Sequence, residues 1–183
     1  EMPTWLGAVD AFRNVGANVV PIPVDEEGTD VKVLGRELAR LRAAGVTPKF
    51  VYAISNFQNP TGVTMTMERR KELLELVHEA GTMLIEDDAY FDLRYAGDRL
   101  PTIYSMNERG LVMYLGTFSK IMAAGMRLGW VVAPSDVIVR LSGLKHEGGT
   151  SPFAGHVAAE FATSGMLQEH ISELLPMYKQ RRD

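Results

Sequence analysis

Apolar residues recur along this chain in two rhythms, and their alternation lays out its elements in order. Ala8, Ala11, Phe12 and Val15 fall at helical spacing and Gly16 ends the run, so a helix is expected over 8–15. Residues 17–24 read as a strand whose prolines suggest an edge or a strand end, and the acidic stretch 25–30 as a solvated loop. Leu34, Leu38, Leu41 and Ala44 then share one face, with arginines elsewhere, which predicts an amphipathic helix over 33–44 stopped by Gly45. The continuous apolar run 49–54 suits a strand buried on both faces. Thr66 caps a helix over 67–80 that Gly81 closes, and 82–85 is a further buried strand.

That sequence of strand, helix, strand, helix, strand predicts crossover units: an α/β fold of three layers, with a mostly parallel sheet and helices on both faces. Residues 94–107 are rich in loop formers. Two more apolar runs, 111–115 and 130–133, read as strands, and their connection is too short for a helical crossover, so one of the pair is expected to run antiparallel. Helices are expected over 137–145 and 153–164, with a break at 148–152 between them. Gly165 separates the second from a last helix that begins near Leu167.

Composition narrows the function classes. The 183 residues are 46% hydrophobic and 23% charged, enough for one α/β domain with a sizeable core. The net charge of −4, without a basic block, argues against nucleic acid as a partner. The absence of cysteine excludes disulfides, thiolate metal sites and a cysteine nucleophile, and is compatible with a reducing cytoplasm. No apolar run approaches a membrane span and no signal-peptide pattern is present, so a soluble, cytoplasmic protein is expected. The first residue is Glu1, and the amphipathic run 169–183 stops without a cap. Both ends are expected to be cuts in a longer chain.

Candidate chemistry sits in three loops, each after a buried strand, where open α/β sheets carry function. The first holds Asn59-Pro60-Thr61-Gly62, which reads as a common turn or as a turn that presents the Asn59 amide. The second, Glu86-Asp87-Asp88-Ala89-Tyr90, reads as a solvated loop start, as ligands for a hard cation, or as one functional carboxylate with a phenol. The third runs from Gly116 to Trp130. Buried among its apolar neighbours, Lys120 would be a lysine whose amine is deprotonated by desolvation and made nucleophilic; on the surface it would be an ordinary cation. Thr117, Ser119 and Arg127 offer hydroxyls and a guanidinium suited to a phosphate monoester. His78, His146, His156 and His170 have no ligand spacing, and His78 reads as a solvated flank. Tyr95 and Tyr104 read as loop aromatics that cover a core.

In combination and in this order, Asn-Pro-Thr-Gly at 59–62, Asp-Asp-Ala-Tyr at 87–90 and Thr-x-Ser-Lys at 117–120, with Arg127 and Leu-Gly-Trp at 128–130, resemble the class I/II aminotransferases. These are the fold-type-I enzymes that use pyridoxal 5′-phosphate (PLP). The resemblance covers about 4–182 and looks most like the branch that acts on aromatic, branched-chain or 2-aminoadipate-type amino acids. It implies a Lys120 Schiff base with PLP and transfer of an amino group between an amino acid and a 2-oxo acid. Lys120 would also carry the α-proton. It further implies Asn59 at the phenolic oxygen of PLP, Asp87 rather than Asp88 at the ring nitrogen, and Tyr90 beside Asn59. Thr117, Ser119 and Arg127 would hold the phosphate, and Lys120, Arg127 and Asp87 would converge on one molecule.

On that resemblance 1–165 is an incomplete large domain and 166–183 starts the helix toward a C-terminal small domain. The family's N-terminal glycine turn, ring-stacking aromatic and substrate-carboxylate arginine have no match here. A homodimer is implied, with no metal and no membrane contact. Two other activities share the motifs: a β-eliminating PLP lyase, and a non-catalytic sensor domain of a transcription regulator.

Overall fold

The computed structural model describes residues 1–145 and 149–183, so the expected break at Gly148 and His146 lie outside the described residues. It resolves into two compact units. The first comprises Glu1–Asp87 and Leu100–Tyr114, the second Asp88–Arg99 and Leu115–Asp183. Four strands follow the order β3-β4-β5-β6, namely Phe50–Ala53, Met83–Asp87, Val112–Thr117 and Gly129–Val132, in a mixed, mostly parallel sheet. Among the described residues, no helix is long and apolar enough to cross a membrane.

In the first unit the expected helices form close to their sequence signals. Helix α1 spans Leu6–Asn14 and α2 spans Val31–Ala43, where the Asp30 carboxylate accepts from the backbone N–H of Lys32 and Val33. Helix α3 spans Met67–Ala80 between the Thr66 hydroxyl, which accepts from Arg69 N–H, and Gly81, whose φ of 62° is the left-handed cap that glycine adopts without strain. Strands β3 and β4 pair in parallel, with Val51 opposite Leu84 and Ala53 opposite Glu86. Leu34, Val51, Ala53, Leu73, Val77, Leu84, Ile103 and Val112 make the core between them.

Three expectations fail in this unit. Residues 17–24 are not a strand. Pro21 and Pro23 have no N–H to give a ladder, and pairing is confined to a Met2–Pro23 bridge and to Val24, although Ile22 is still buried. The acidic stretch is not a solvated loop but a hairpin of β1, Val24–Asp25, and β2, Gly28–Thr29. Its turn is held from α3, because the Arg69 guanidinium lies 3.1 Å from Asp25 and 2.9 Å from Glu27. His78 is no solvated flank either: its Nε2 lies 3.1 Å from Asn107 Oδ1, tying α3 to the turn before β5.

The second unit is built on α4, Ser135–Leu144, α5, Pro152–Thr163, and α6, Met166–Arg182. Helices α5 and α6 pack on each other, and α6 also packs on a 3-10 turn at Phe91–Leu93. Leu93, Ile121 and Ile171 form one apolar cluster with Tyr90, Phe118 and Trp130, while Leu128, Ala154 and Ala158 form another with Met122 and Met126. Tyr95 lies under the Arg182 guanidinium, 5.2 Å from its centre.

Candidate functional site

The first unit contributes two loops, after the adjacent parallel strands β3 and β4. Asn59 is half-buried in the first of them, which is pinned by side chains of its own. Gln58, buried, accepts from Thr61 N–H at 2.9 Å and from the Thr61 hydroxyl at 2.7 Å, and its amide donates to the Pro3 carbonyl at 2.7 Å. Arg70, fully buried, donates to the carbonyls of Ser55, Met65 and Pro101 and to Asn56 Oδ1. A guanidinium with no exposure is tolerated only where its N–H groups find acceptors, and here they hold the ends of the Asn59 loop in place. Sequence reasoning gave Arg70 no role. The signal was present: Arg70, Leu73, Leu74 and Val77 share the buried face of α3, so a cation stands in an apolar stripe.

After β4 the acidic triplet divides, and a solvated loop start does not describe it. Glu86 is fully buried; Oε1 accepts from the Ser55 hydroxyl at 2.6 Å and Ile103 N–H at 3.0 Å, and Oε2 from Tyr104 N–H at 2.8 Å. Asp88 is buried, and its N–H donates to the Leu115 carbonyl. Among the described residues no three His, Cys, Asp or Glu side chains gather as a metal site. Asp87 lies between these, half-buried, with Tyr52 donating from its hydroxyl to Oδ2 at 2.6 Å. Burial pushes the Asp87 carboxyl above its ordinary 3.8, and the Tyr52 hydrogen bond opposes that.

A pH dependence follows. A carboxyl raised by burial favours its neutral form in the fold, so the stability it contributes is complete below its unfolded value and is lost as pH rises through its folded one. Asp87→Asn, neutral throughout, is therefore expected to exceed the parent by about 1 kcal/mol at pH 7 and by nothing at pH 3. Denaturant unfolding at the two pH values, without added ligand, checks this.

The second unit contributes the connection between β5 and β6. Phe118 N–H and the Thr117 hydroxyl both donate to the Leu128 carbonyl at 3.1 Å, and Thr117 Oγ1 accepts from Ser119 N–H at 3.1 Å. The chain thus folds back so that Thr117 stands beside the residue that follows Arg127. Gly116 permits the close approach, since a Cβ there would overlap the Trp130 ring. Arg127 has a φ of 52°, a left-handed conformation unusual outside glycine, and its guanidinium donates to the Ala124 carbonyl at 3.3 Å. Ser119 is half-buried.

Of the two readings the sequence left open, buried amine or surface cation, the structure takes the second: Lys120 is exposed. The apolar residues around it in sequence turn elsewhere: Ile121 and Phe118 enter one cluster and Met122 another, leaving the lysine outside both. Tyr90 is half-buried against the first of these clusters. Neither Lys120 nor Arg127 forms an ion pair with an acidic side chain among the described residues.

The predicted residues therefore fall into two sets. Asn59 and Asp87 belong to the first unit; Tyr90, Thr117, Ser119, Lys120 and Arg127 belong to the second. A cavity in the first unit, lined by Phe12, Leu34, Leu38 and Val51, involves neither Asn59 nor Asp87. Among the described residues, the first set has a carboxylate with a single protein donor, and the second has hydroxyls, a guanidinium and an amine without acidic partners.

The family described as "Aminotransferase class I and II" matches residues 1–183. Over 185 residues, the chain is 42% identical to an aromatic-amino-acid aminotransferase of Thermococcus litoralis, covering all of this chain and 44% of that protein. It is 34% identical, over all of its length, to an HTH-type transcriptional regulator of Bacillus subtilis, 37% of which it covers. A solved kynurenine aminotransferase of Pyrococcus horikoshii superposes with a TM-score of 0.95 at 41% identity, over 99% of this chain and 45% of that one. The chain thus spans less than half the length of the proteins it matches.

Proposed function

The chain belongs to the class I and II aminotransferases, whose cofactor is pyridoxal 5′-phosphate, and on that premise we propose that it forms the cofactor-holding part of a transaminase. The reaction moves an amino group between an amino acid and a 2-oxo acid. The observation that carries this reading is the β5–β6 connection, where an exposed amine, two hydroxyls and a guanidinium share one short stretch, with no acidic side chain among the described residues paired to the amine or the guanidinium. Such a set suits a dianionic phosphate next to an electrophilic carbon.

Bound, the cofactor supplies an aldehyde for the amino group and a protonated ring that withdraws the electrons released at the α-carbon. Lys120 would hold the aldehyde carbon through its Nζ, and once freed the same amine would be the base that takes and returns the proton. Arg127, Thr117 and Ser119 hold the phosphate. Asp87 keeps the ring nitrogen protonated, while Asn59 and Tyr90 orient the ring through its hydroxyl.

Residues 1–165 are the partial large domain on this reading, and 166–183 lead to a second domain. Gly165, with φ of 86°, supports a break there. The names of the aromatic-amino-acid and kynurenine relatives favour aromatic substrates. A homodimer in the cytoplasm completes the proposal, by analogy with the family.

The test uses the full-length protein, loaded with PLP and mixed with an aromatic amino acid. Formation of the 2-oxo acid in equal amount to the cofactor, with regeneration by a second 2-oxo acid, is expected. The likeness to a transcriptional regulator favours one other reading, a sensor domain. Binding of the amino acid without any 2-oxo acid formed would select it.

A further inference from the structure

Tyr52 lies in the middle of β3, in a strand otherwise aliphatic or aromatic without a polar atom, and it is 92% buried by its neighbours, with 8% left accessible. Its ring is fixed on both sides of that strand position: Phe12 from α1 meets it edge-on at 5.4 Å, and Ala8, Ile54 and Ile85 complete the cluster. The register explains where its hydroxyl goes. Tyr52 pairs with Ile85 on β4, and Asp87 lies two residues further along the same face, within reach of a phenol that leans along the strand. Burying a hydroxyl is costly unless it is paired, and Asp87 Oδ2, at 2.6 Å, is the acceptor found.

From the carboxylate's side the arrangement is asymmetric. Tyr52 is the one donor to Asp87 among the described residues, and it engages only Oδ2, so Oδ1 keeps its acceptor capacity. Among the described residues no charged group contributes to Asp87: burial raises its carboxyl and the Tyr52 hydrogen bond lowers it. Of the neighbouring acids, Glu86 points to the opposite face and is saturated by Ser55, Ile103 and Tyr104.

We propose that Tyr52 is a positioning residue for the ring nitrogen of the cofactor: by holding Oδ2 it fixes the plane of the Asp87 carboxylate, keeps it charged, and reserves Oδ1 for the ring N–H. This rests on the assignment of Asp87 under the proposed function, but the device itself is a property of the first unit and is read without the cofactor. A charge-assisted hydrogen bond from a locked phenol favours the ionised acceptor, and it does so with no cation that would compete with the ring nitrogen for the carboxylate.

The experiment is a carbon-13 NMR titration of the Asp87 carboxyl in full-length, cofactor-free protein labelled at aspartate, with the resonance assigned by its loss in Asp87→Asn. In Tyr52→Phe, which removes one oxygen and keeps the ring, Asp87 is expected to bind its proton roughly tenfold more tightly than in the parent. Should Tyr52→Phe fail to fold, 3-fluorotyrosine at position 52, a stronger donor of nearly the same shape, is expected to shift the titration in the opposite direction. Coincident titrations in parent and variants would overturn the inference. A second readout is the nitrogen-15 resonance of ring-labelled PLP, which is expected to move toward the unprotonated value in Tyr52→Phe. If the Asp87 titration responds but the ring resonance does not, the positioning role is overturned. Neither result depends on whether amino transfer occurs, so the fate of the proposed function is read separately from 2-oxo acid formation.

Discussion

Turnover by the full-length protein is expected to fall by about 10⁴-fold or more when Lys120 is replaced by alanine. Two functions are lost at once, since the same nitrogen holds the aldehyde and carries the proton. The visible absorption of the lysine-bound cofactor is expected to disappear with them. Lys120→Arg keeps a long cationic side chain but no nucleophilic amine, and is expected to be equally inactive. Because Lys120 is exposed, its replacement leaves both apolar clusters of the second unit intact, and the thermal unfolding temperature without cofactor is expected to stay within about 2 °C of the parent. A small primary amine added to Lys120→Ala is expected to restore part of the proton transfer. Undiminished turnover in Lys120→Ala would remove the proposed chemistry altogether.

Glu86→Ala carries the largest expected effect on stability, a loss of about 3–5 kcal/mol, a substantial part of what a domain of ordinary stability has. The side chain has no exposure and takes hydrogen bonds from the Ser55 hydroxyl and the N–H groups of Ile103 and Tyr104. Alanine strands all three donors in a place water does not reach, and it opens a cavity as well. Ser55 is shared with Arg70, which donates to its carbonyl, so the Asn59 loop is expected to lose order together with the fold of the first unit. Glu86→Gln keeps a carbonyl acceptor and is expected to lose roughly half as much. Denaturant unfolding of the three proteins checks the order; a stability of Glu86→Ala equal to that of the parent would mean that these hydrogen bonds contribute nothing net.

Glu86 also shows where sequence reading and structure part. Three successive acids at a strand end look alike in a sequence, because local patterning cannot tell which face each occupies once a neighbouring strand and loop arrive. The structure turns Glu86 into a clamp on the segment before β5, gives Asp87 a phenol and buries Asp88. The same limit explains Lys120. An apolar neighbourhood in sequence left burial and exposure both open; each apolar neighbour had its own cluster to enter, and the lysine was left outside. Arg70 and Tyr52 were legible in principle as polar atoms in apolar stripes, but apart from the Met65 carbonyl their acceptors named here lie 14 to 35 residues away in the chain, where no spacing rule reaches.

What the sequence determined by itself was whatever depends on neighbours within a turn or two. That includes the helix over Met67–Ala80 with its Thr66 and Gly81 caps, the buried parallel strands, and the three loops in an order that resembled one family. These follow from periodicity, capping and backbone sterics, which are short-range. Only the tertiary structure decided the partners. Proline 21 and proline 23 denied 17–24 a ladder, Arg69 drew an acidic loop into a hairpin, and Tyr52 met Asp87 across two strands. The reason is that a hydrogen bond between distant residues forms only where packing has already brought them together and excluded water, and neither condition is written in the local order of residues.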